Sequence, residues 1–262
     1  MTIRWPAEAI WEQVVPLLPG FTVEILPEVD STNTALMRRA RAGQLEPILL
    51  VAERQTAGRG RLGRDWQSDT QDGLATLTFS LGLPLQPADW SGLSLAVGLS
   101  LVQSLHPALK LKWPNDVWLE ERKLAGILIE TTSVGEVRYC VIGIGINLLP
   151  RDSAGLRTPA AALQEVLPQA DAPGTLEAVV LPLVQAVQAF AVDGFAALRQ
   201  PFHARDLLYG REVTCTDGTT GTARGVDASG VLLVHTASGL QKISSAEVSV
   251  RPVPGTASAN QP

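Results

Sequence analysis

Cysteine, histidine and lysine are scarce in this chain of 262 residues, numbering two, three and four. Cys140 and Cys215 fall in strand-like runs, with no Cys-x-x-Cys and no histidine pair nearby, which excludes a disulfide framework and a zinc cage. That usage suits a reducing cytoplasm. Long apolar runs are missing too. The longest charge-free stretch, Trp90 to Leu109, contains four serines, two glycines, Gln103 and Pro107. It is unlike the roughly 20 mostly apolar residues of a membrane span and reads as a buried helix. Glu8 and Glu12, with Pro6, Pro16 and Pro19, leave no signal-peptide core at the start. Nor is positive charge in excess: 26 acidic against 21 basic residues give a net charge of -5, which argues against general affinity for nucleic acid or an anionic membrane.

What is present is core material. With 45% hydrophobic and 18% charged residues, the chain can fold as one large domain or two unequal ones. Periodicity predicts a helix over Ala7 to Leu18 and a strand over Phe21 to Val29. A second helix, capped by Asp30-Ser31-Thr32-Asn33, ends at Gly43, and a strand covers Pro47 to Glu53. After a glycine- and arginine-rich loop come a strand (Leu74 to Leu83), a helix (Trp90 to Leu105) and strands at Leu109 to Trp113, Val117 to Leu119, Leu124 to Thr131 and Val137 to Gly145. These strands are expected to run as consecutive antiparallel pairs more than as βαβ crossovers, an α+β arrangement. Residues Pro150 to Pro173 read as a loop with a short helix, and Leu176 to Leu198 as a helix. From Arg211, turn signals at Asp217-Gly218, Ser229-Gly230 and Ser238-Gly239 suggest a small all-β barrel. The expected division is 1–208, 209–252 and a frayed tail at 253–262.

The basic residues are unevenly placed. Arg54, Arg59, Arg61 and Arg64 put four cations into eleven residues without an acid. On a helix such a cluster would be a solvated face, but Gly58, Gly60 and Gly63 interleave with it. A flexible cationic segment suits closure of N–H groups and guanidinium forks around an anion. Gly58-x-Gly60-x-x-Gly63 formally matches a dinucleotide fingerprint, yet no apolar helix follows and Thr78 stands where the ribose-binding acid belongs. No Walker A segment occurs. Three of the four lysines, Lys110, Lys112 and Lys123, fall within fourteen residues. An ammonium on a flexible stem can follow a migrating negative charge or exchange a proton, which a guanidinium cannot. Lys112-Trp113-Pro114-Asn115-Asp116 thus gathers a lysine, a carboxamide and a carboxylate at one strand end.

Taken in order, Asp30 to Asn33, the loop Gln55 to Arg64, Lys112 to Asp116, Arg122 to Leu128 with Glu130, and Gly143-Ile144-Gly145-Ile146-Asn147 resemble the biotin protein ligases. The match is close over residues 26 to 149 and looser to about 251. The resemblance implies a catalytic domain related to class II aminoacyl-tRNA synthetases and an SH3-like C-terminal domain. It also implies a two-step reaction, in which biotin and MgATP give biotinyl-5'-AMP and pyrophosphate, and the adenylate then acylates one lysine of a biotin carboxyl carrier domain. Bringing a carboxylate against a phosphate joins two anions, and the cations here with Mg²⁺ suit screening that repulsion.

By the same resemblance, Ser31, Thr32, Asn33 and Gln55 would hold the biotin ring, with the backbone near Gly58 and Gly126 lining the pocket. Ser31 and Thr32 can cap a helix at the same time. Arg59, Gly60 and Arg61 would close over the carboxylate and phosphate, and Lys123 would touch both. Arg64, Lys112, Asn115 and Asn147 would serve ATP or its metal, with no direct protein cage for Mg²⁺; Asn147 after Gly-x-Gly is also an ordinary turn residue. Trp66 would stack near the adenine or act as an apolar plug. Asp116 would orient or deprotonate the acceptor lysine, a group otherwise protonated at neutral pH. The loop Gly58 to Gly63, with only Leu62 as apolar anchor and its arginines unpaired, is expected to be held closed by ligand alone. Only about twenty-five residues precede the matched region, too few for the winged-helix domain of the repressing members, so no specific DNA binding is expected. Homodimer formation is left open. The rivals are a lipoate-type protein ligase and a non-enzymatic nucleotide or anion sensor.

Overall fold

The computed structural model describes residues 3–67, 74–151, 158–244 and 250–252. The expected tail at 253–262 lies outside them. Seven strands form the main sheet: β1 (Thr22–Val29), β2 (Ile48–Gln55), β3 (Thr76–Pro84), β4 (Lys110–Lys112), β5 (Asp116–Leu119), β6 (Arg122–Val134) and β7 (Val137–Asn147), in the spatial order β1-β2-β3-β7-β6-β5-β4. All neighbours are antiparallel except β1 and β2. The predominance of antiparallel pairs matches the expectation, and the β1–β2 pair is its one parallel exception among the described strands. α2 (Thr32–Arg41) carries the chain back across the sheet, so β1-α2-β2 is a parallel crossover unit.

Helix boundaries move where the local chemistry dictates. α1 spans Ala7–Val14 and stops short of Leu18, because Pro16 cannot donate and the next N–H groups, of Leu17 and Leu18, both turn back on the Val14 carbonyl. α3 starts at Leu93 and runs to Leu105, since Gly92 lies at φ 84° against the Phe195 ring. α4 spans Ala172–Asp193, starting before Leu176 because the Asp171 carboxylate caps the Gly174 N–H, and ending at Gly194 (φ 67°). The expected extension to Leu198 is a separate 3₁₀ turn, followed by α5 (Arg199–His203). Another 3₁₀ turn, Leu163–Glu165, is the short helix expected in the loop from Pro150. Among the described helices only α4 is long and apolar enough to cross a bilayer, and nine of its residues are buried as it packs against α1, α3 and β3.

The C-terminal strands β8 (Glu212–Cys215), β9 (Thr220–Val226), β10 (Leu232–Thr236), β11 (Gly239–Ile243) and β12 (Val250–Pro252) form a five-stranded antiparallel sheet in the order β11-β10-β9-β8-β12. Its ladder does not close among the described residues, so hydrogen bonding alone makes no barrel. One apolar core runs through both sheets, from Phe79, Val97 and Leu183 to Val213, Val226 and Leu232. The joint is also polar. Trp113 Nε1 donates to the Gly230 carbonyl at 3.0 Å, Arg211 pairs with Glu121 at 2.7 Å, and residues 205–207 bond the backbone of Leu111.

Asp206 sits in that joint, 6% exposed. Burial pushes its carboxyl up to about 7, against the pull of the Leu208 and Tyr209 N–H groups and of Lys110. A carboxyl raised on folding opposes the native state once ionised, so stability is fully present below the unfolded pKa and falls as pH rises towards about 7. Thermal melts should therefore show the midpoint declining from about pH 4 to about pH 7 and levelling above it, and Asp206→Asn should flatten that decline. An unchanged slope in the variant would remove Asp206 from the linkage.

Candidate functional site

A cleft of about 570 Å³ opens over the polar face of the main sheet. Strand alternation builds its floor. In β7, Cys140, Ile142, Ile144 and Ile146 belong to the main core, while Gly143, Gly145 and Asn147 line the cleft. A Cβ at Gly143 would lie 2.1 Å from Asn33 Oδ1, and one at Gly145 2.4 Å from the Trp66 ring. The two glycines are therefore flat spots on which Asn33 and Trp66 rest.

In β6 alternation alone would place Leu124 and Gly126 on one face. The β5–β6 register slips between Val117 and Trp118, and this bulge buries Leu124 while turning Lys123 into the cleft beside Gly126. Lys123 Nζ there meets Asp116 Oδ1 at 2.7 Å and lies 5.9 Å from the centre of the Trp66 ring. Lys112 stands over the Trp118 ring at 5.0 Å. Burial pushes Lys112 down to about 8; Asp116 opposes the shift, and Lys123, Arg251 and Arg64 add to it. Burial likewise lowers Arg61, with Asp116 opposing and Arg64 adding.

At the other end, Ser31 caps α2 by accepting from the Thr34 N–H at 3.4 Å. Thr32 donates to Gln55 Oε1 from both its N–H, at 2.8 Å, and its hydroxyl, at 3.2 Å. The Ser80 hydroxyl lies 2.7 Å from both Thr32 Oγ1 and Asn33 Oδ1. Asn33 Nδ2 donates to the Leu128 carbonyl and Glu130 Oε2, so its amide is engaged inside the protein.

The glycine-arginine loop departs from expectation in four ways. Its arginines are not unpaired: Arg59 bonds Glu130 at 3.1 Å and Arg61 donates to Asn115 Oδ1 at 3.1 Å. Arg54 turns away to Glu28, leaving Arg59, Arg61 and Arg64 at the cleft. Gly58 does not line it; a Cβ there would lie 2.3 Å from the Trp66 carbonyl, and the Gly58 carbonyl accepts the Trp66 N–H at 2.9 Å. Leu62 is no anchor, being 52% exposed at φ 58°.

The other expected residues, Ser31, Thr32, Asn33, Gln55, Gly60, Trp66, Asn115, Asp116 and Asn147, all line the cleft. Asn115 is committed to Arg61 and, through Nδ2, to the Ile127 carbonyl. Asn147 is the last residue of β7 and not a turn residue; its Oδ1 is buried without a hydrogen bond, as is Trp66 Nε1. Such atoms at a cleft wall call for a ligand group. Among the described residues no three His, Cys, Asp or Glu side chains gather to hold a metal.

Sequence reading missed the site roles of Glu130, Trp118, Arg151 and Arg251, all but Glu130 lining the cleft. Period-two alternation from Gly126 could have placed Glu130; nothing local points to Arg251, which arrives on β12.

Comparison with known proteins agrees with this arrangement. The biotin/lipoate A/B protein ligase family matches residues 25–147, and the biotin protein ligase C terminal domain matches residues 209–251. The bifunctional ligase/repressor BirA of Escherichia coli (strain K12) is 33% identical over 251 residues, 92% of this chain and 77% of that protein. The biotin–acetyl-CoA-carboxylase ligase of Paracoccus denitrificans is 33% identical over 237 residues, 86% of this chain and 98% of that one. The solved biotin protein ligase from Aquifex aeolicus in complex with biotin and ATP superposes with a TM-score of 0.74 at 31% identity, covering 88% of this chain and 99% of that one.

The shifted Lys112 gives the cleft a pH signature. A lysine near 8 loses its charge as pH rises, so the free site grips anions less well above about pH 8. Calorimetric titration with inorganic pyrophosphate should show affinity falling between pH 7 and pH 9, and Lys112→Arg should hold it nearly level. A parent profile as flat as that of the variant would count against a shifted Lys112.

Proposed function

The chain belongs to the biotin protein ligase family, and on that premise we propose how its cleft carries out the reaction. It is an ATP-dependent ligase that makes biotinyl-5'-AMP and transfers the biotinyl group to a lysine of the carrier domain of biotin-dependent carboxylases. The observation that carries the mechanism is the convergence of Arg59, Arg61, Arg64, Lys112 and Lys123 on one cleft beside the Ser31, Thr32 and Gln55 side chains.

The polar end of the cleft takes the ureido ring of biotin. This end favours biotin over lipoate, whose dithiolane would leave those hydrogen-bonding groups unmatched. The biotin carboxylate then points towards Lys123. In the first step a carboxylate oxygen attacks the α-phosphorus, the bond to the β-phosphate oxygen breaks and pyrophosphate leaves. Arg59, Arg61 and Lys123 neutralise the approaching anions, and Lys123, released from Asp116 by a competing carboxylate, follows the charge. Arg64, Lys112 and Asn147 hold the phosphates and Trp66 the adenine. Oxygen donors such as Asn147 Oδ1 and the phosphates suit Mg²⁺, which would supply further charge neutralisation. In the second step the acceptor amine attacks the acyl carbon, AMP leaves, and Asp116 orients the amine or takes its proton.

The reading extends to architecture and setting. The seven-stranded sheet is taken as related to class II aminoacyl-tRNA synthetases and the smaller sheet as SH3-like, with 1–208 the catalytic unit and 209–252 its companion. The enzyme is cytoplasmic, with the carrier protein as its macromolecular partner and no specific DNA site. Self-association is left as an option.

Lys123→Ala should melt within a few degrees of the parent, yet its biotin-dependent ATP–pyrophosphate exchange should fall by about 10²- to 10³-fold or more. Intact-mass analysis of a carrier domain incubated with MgATP and either biotin or lipoate tests the reaction itself. Modification by lipoate alone, or near-normal exchange in the variant, would overturn this assignment.

A further inference from the structure

Glu130 has no place in the mechanism above, yet it ends a hydrogen-bonded chain that starts in the ureido end of the cleft. The chain runs from Gln55 to Thr32, across the Ser80 hydroxyl to Asn33 Oδ1, from Asn33 Nδ2 to Glu130 Oε2 at 3.0 Å, and from Glu130 Oε1 to Arg59 Nη2 at 3.1 Å. Its middle is inaccessible: Thr32, Asn33 and Ser80 are at most 3% exposed. Gly143 makes room for Asn33, since any Cβ there would overlap the amide. Arg59 is tied a second time to the start of α2, by Nη1 to Thr34 Oγ1 at 3.3 Å. The first arginine of the loop is thus fixed from beneath by a buried network, while half of its own side chain remains exposed.

We propose that Glu130 is a positioning residue that holds Arg59, and with it the glycine-arginine loop, in place over the cleft. The proposal rests on the ligase reading for its kinetic consequence but not for the tether itself. A carboxylate is needed because it accepts from two donors at once. In Glu130→Gln the amide oxygen can still accept from Asn33, whereas its NH₂ group would face the Arg59 guanidinium donor to donor. The loop would be released and the buried network kept.

The test compares the parent, Glu130→Gln, Arg59→Ala and the double variant. Hydrogen–deuterium exchange of the unliganded proteins reads the tether. Amides of residues 58–66 should exchange about fivefold faster in either single variant, the size expected for a partly exposed charged pair, and no faster still in the double variant. Biotin-dependent pyrophosphate exchange reads the consequence. Glu130→Gln should raise KM for biotin about fivefold with kcat within about twofold, and should add nothing in the Arg59→Ala background. Unchanged amide exchange in Glu130→Gln, fully additive KM effects, or a fall in kcat at constant KM would each overturn the proposal. Should Glu130→Gln fail to fold, Arg59→Ala reads the same tether from its exposed end, and unchanged amide exchange there would also overturn it. A parent without biotin-dependent exchange would sink the ligase reading, and the deuterium measurement would still decide the tether.

Discussion

Like-charge repulsion is the constraint around which this molecule is arranged. Five arginines and two lysines line one cleft, and like charges so close push one another apart. Their mutual pressure is visible in Lys112, lowered by burial and by three neighbouring cations. Opposition comes from acids and amides fixed on the sheet: Asp116 against Lys123, Glu130 against Arg59 and Asn115 against Arg61. A substrate carboxylate can compete with Asp116 for Lys123, while Glu130 keeps Arg59 in position, so the strain of assembly becomes a preference for anions. Preorganised charge of this kind needs rigid support, and strands β5 and β6 provide it.

That support depends on a sheet with two unlike faces. Cys140, Ile142, Ile144 and Ile146 of β7 fill the apolar core beneath, while on the other face the strand carries glycines where Asn33 and Trp66 must approach closely. Core and site are thus two readings of the same alternation. The bulge near Trp118 interrupts that alternation once, and it does so where Lys123 must leave the core face.

Much of this was legible in the sequence, and the exceptions have physical causes. Elements with strong periodicity and turn chemistry, such as β7, α2 with its Ser31 cap, and the turns at Gly218, Gly230 and Gly239, lie close to where local signals place them. The parallel pairing of β1 with β2 was missed because neither strand encodes the direction of its partner. The loop was read as charged and free because the partners of Arg59 and Arg61 lie 71 and 54 residues away. Gly58 was placed in the pocket by its company in the motif, although its role is to let the Trp66 backbone close on the loop. Motif spacing reports which residues act together; which of them touch ligand and which hold the others is settled by long-range contacts.

The smaller sheet completes this argument. Strand β4 is only three residues long and forms one edge of the main sheet, so paired with β5 alone it would hold Lys112 poorly. It is braced from behind instead. Residues 205–207 bond the Leu111 backbone, and Trp113 reaches the Gly230 carbonyl. Arg211 meanwhile clamps Glu121 in the hairpin next to Lys123. The same unit sends Val250, Arg251 and Pro252 to the cleft wall, and Arg251 contributes to the lowered pKa of Lys112. The charge state of Lys112 is therefore a joint property of both units, and a change in their packing would be felt at the Lys112 end of the cleft before it reached the Ser31 end.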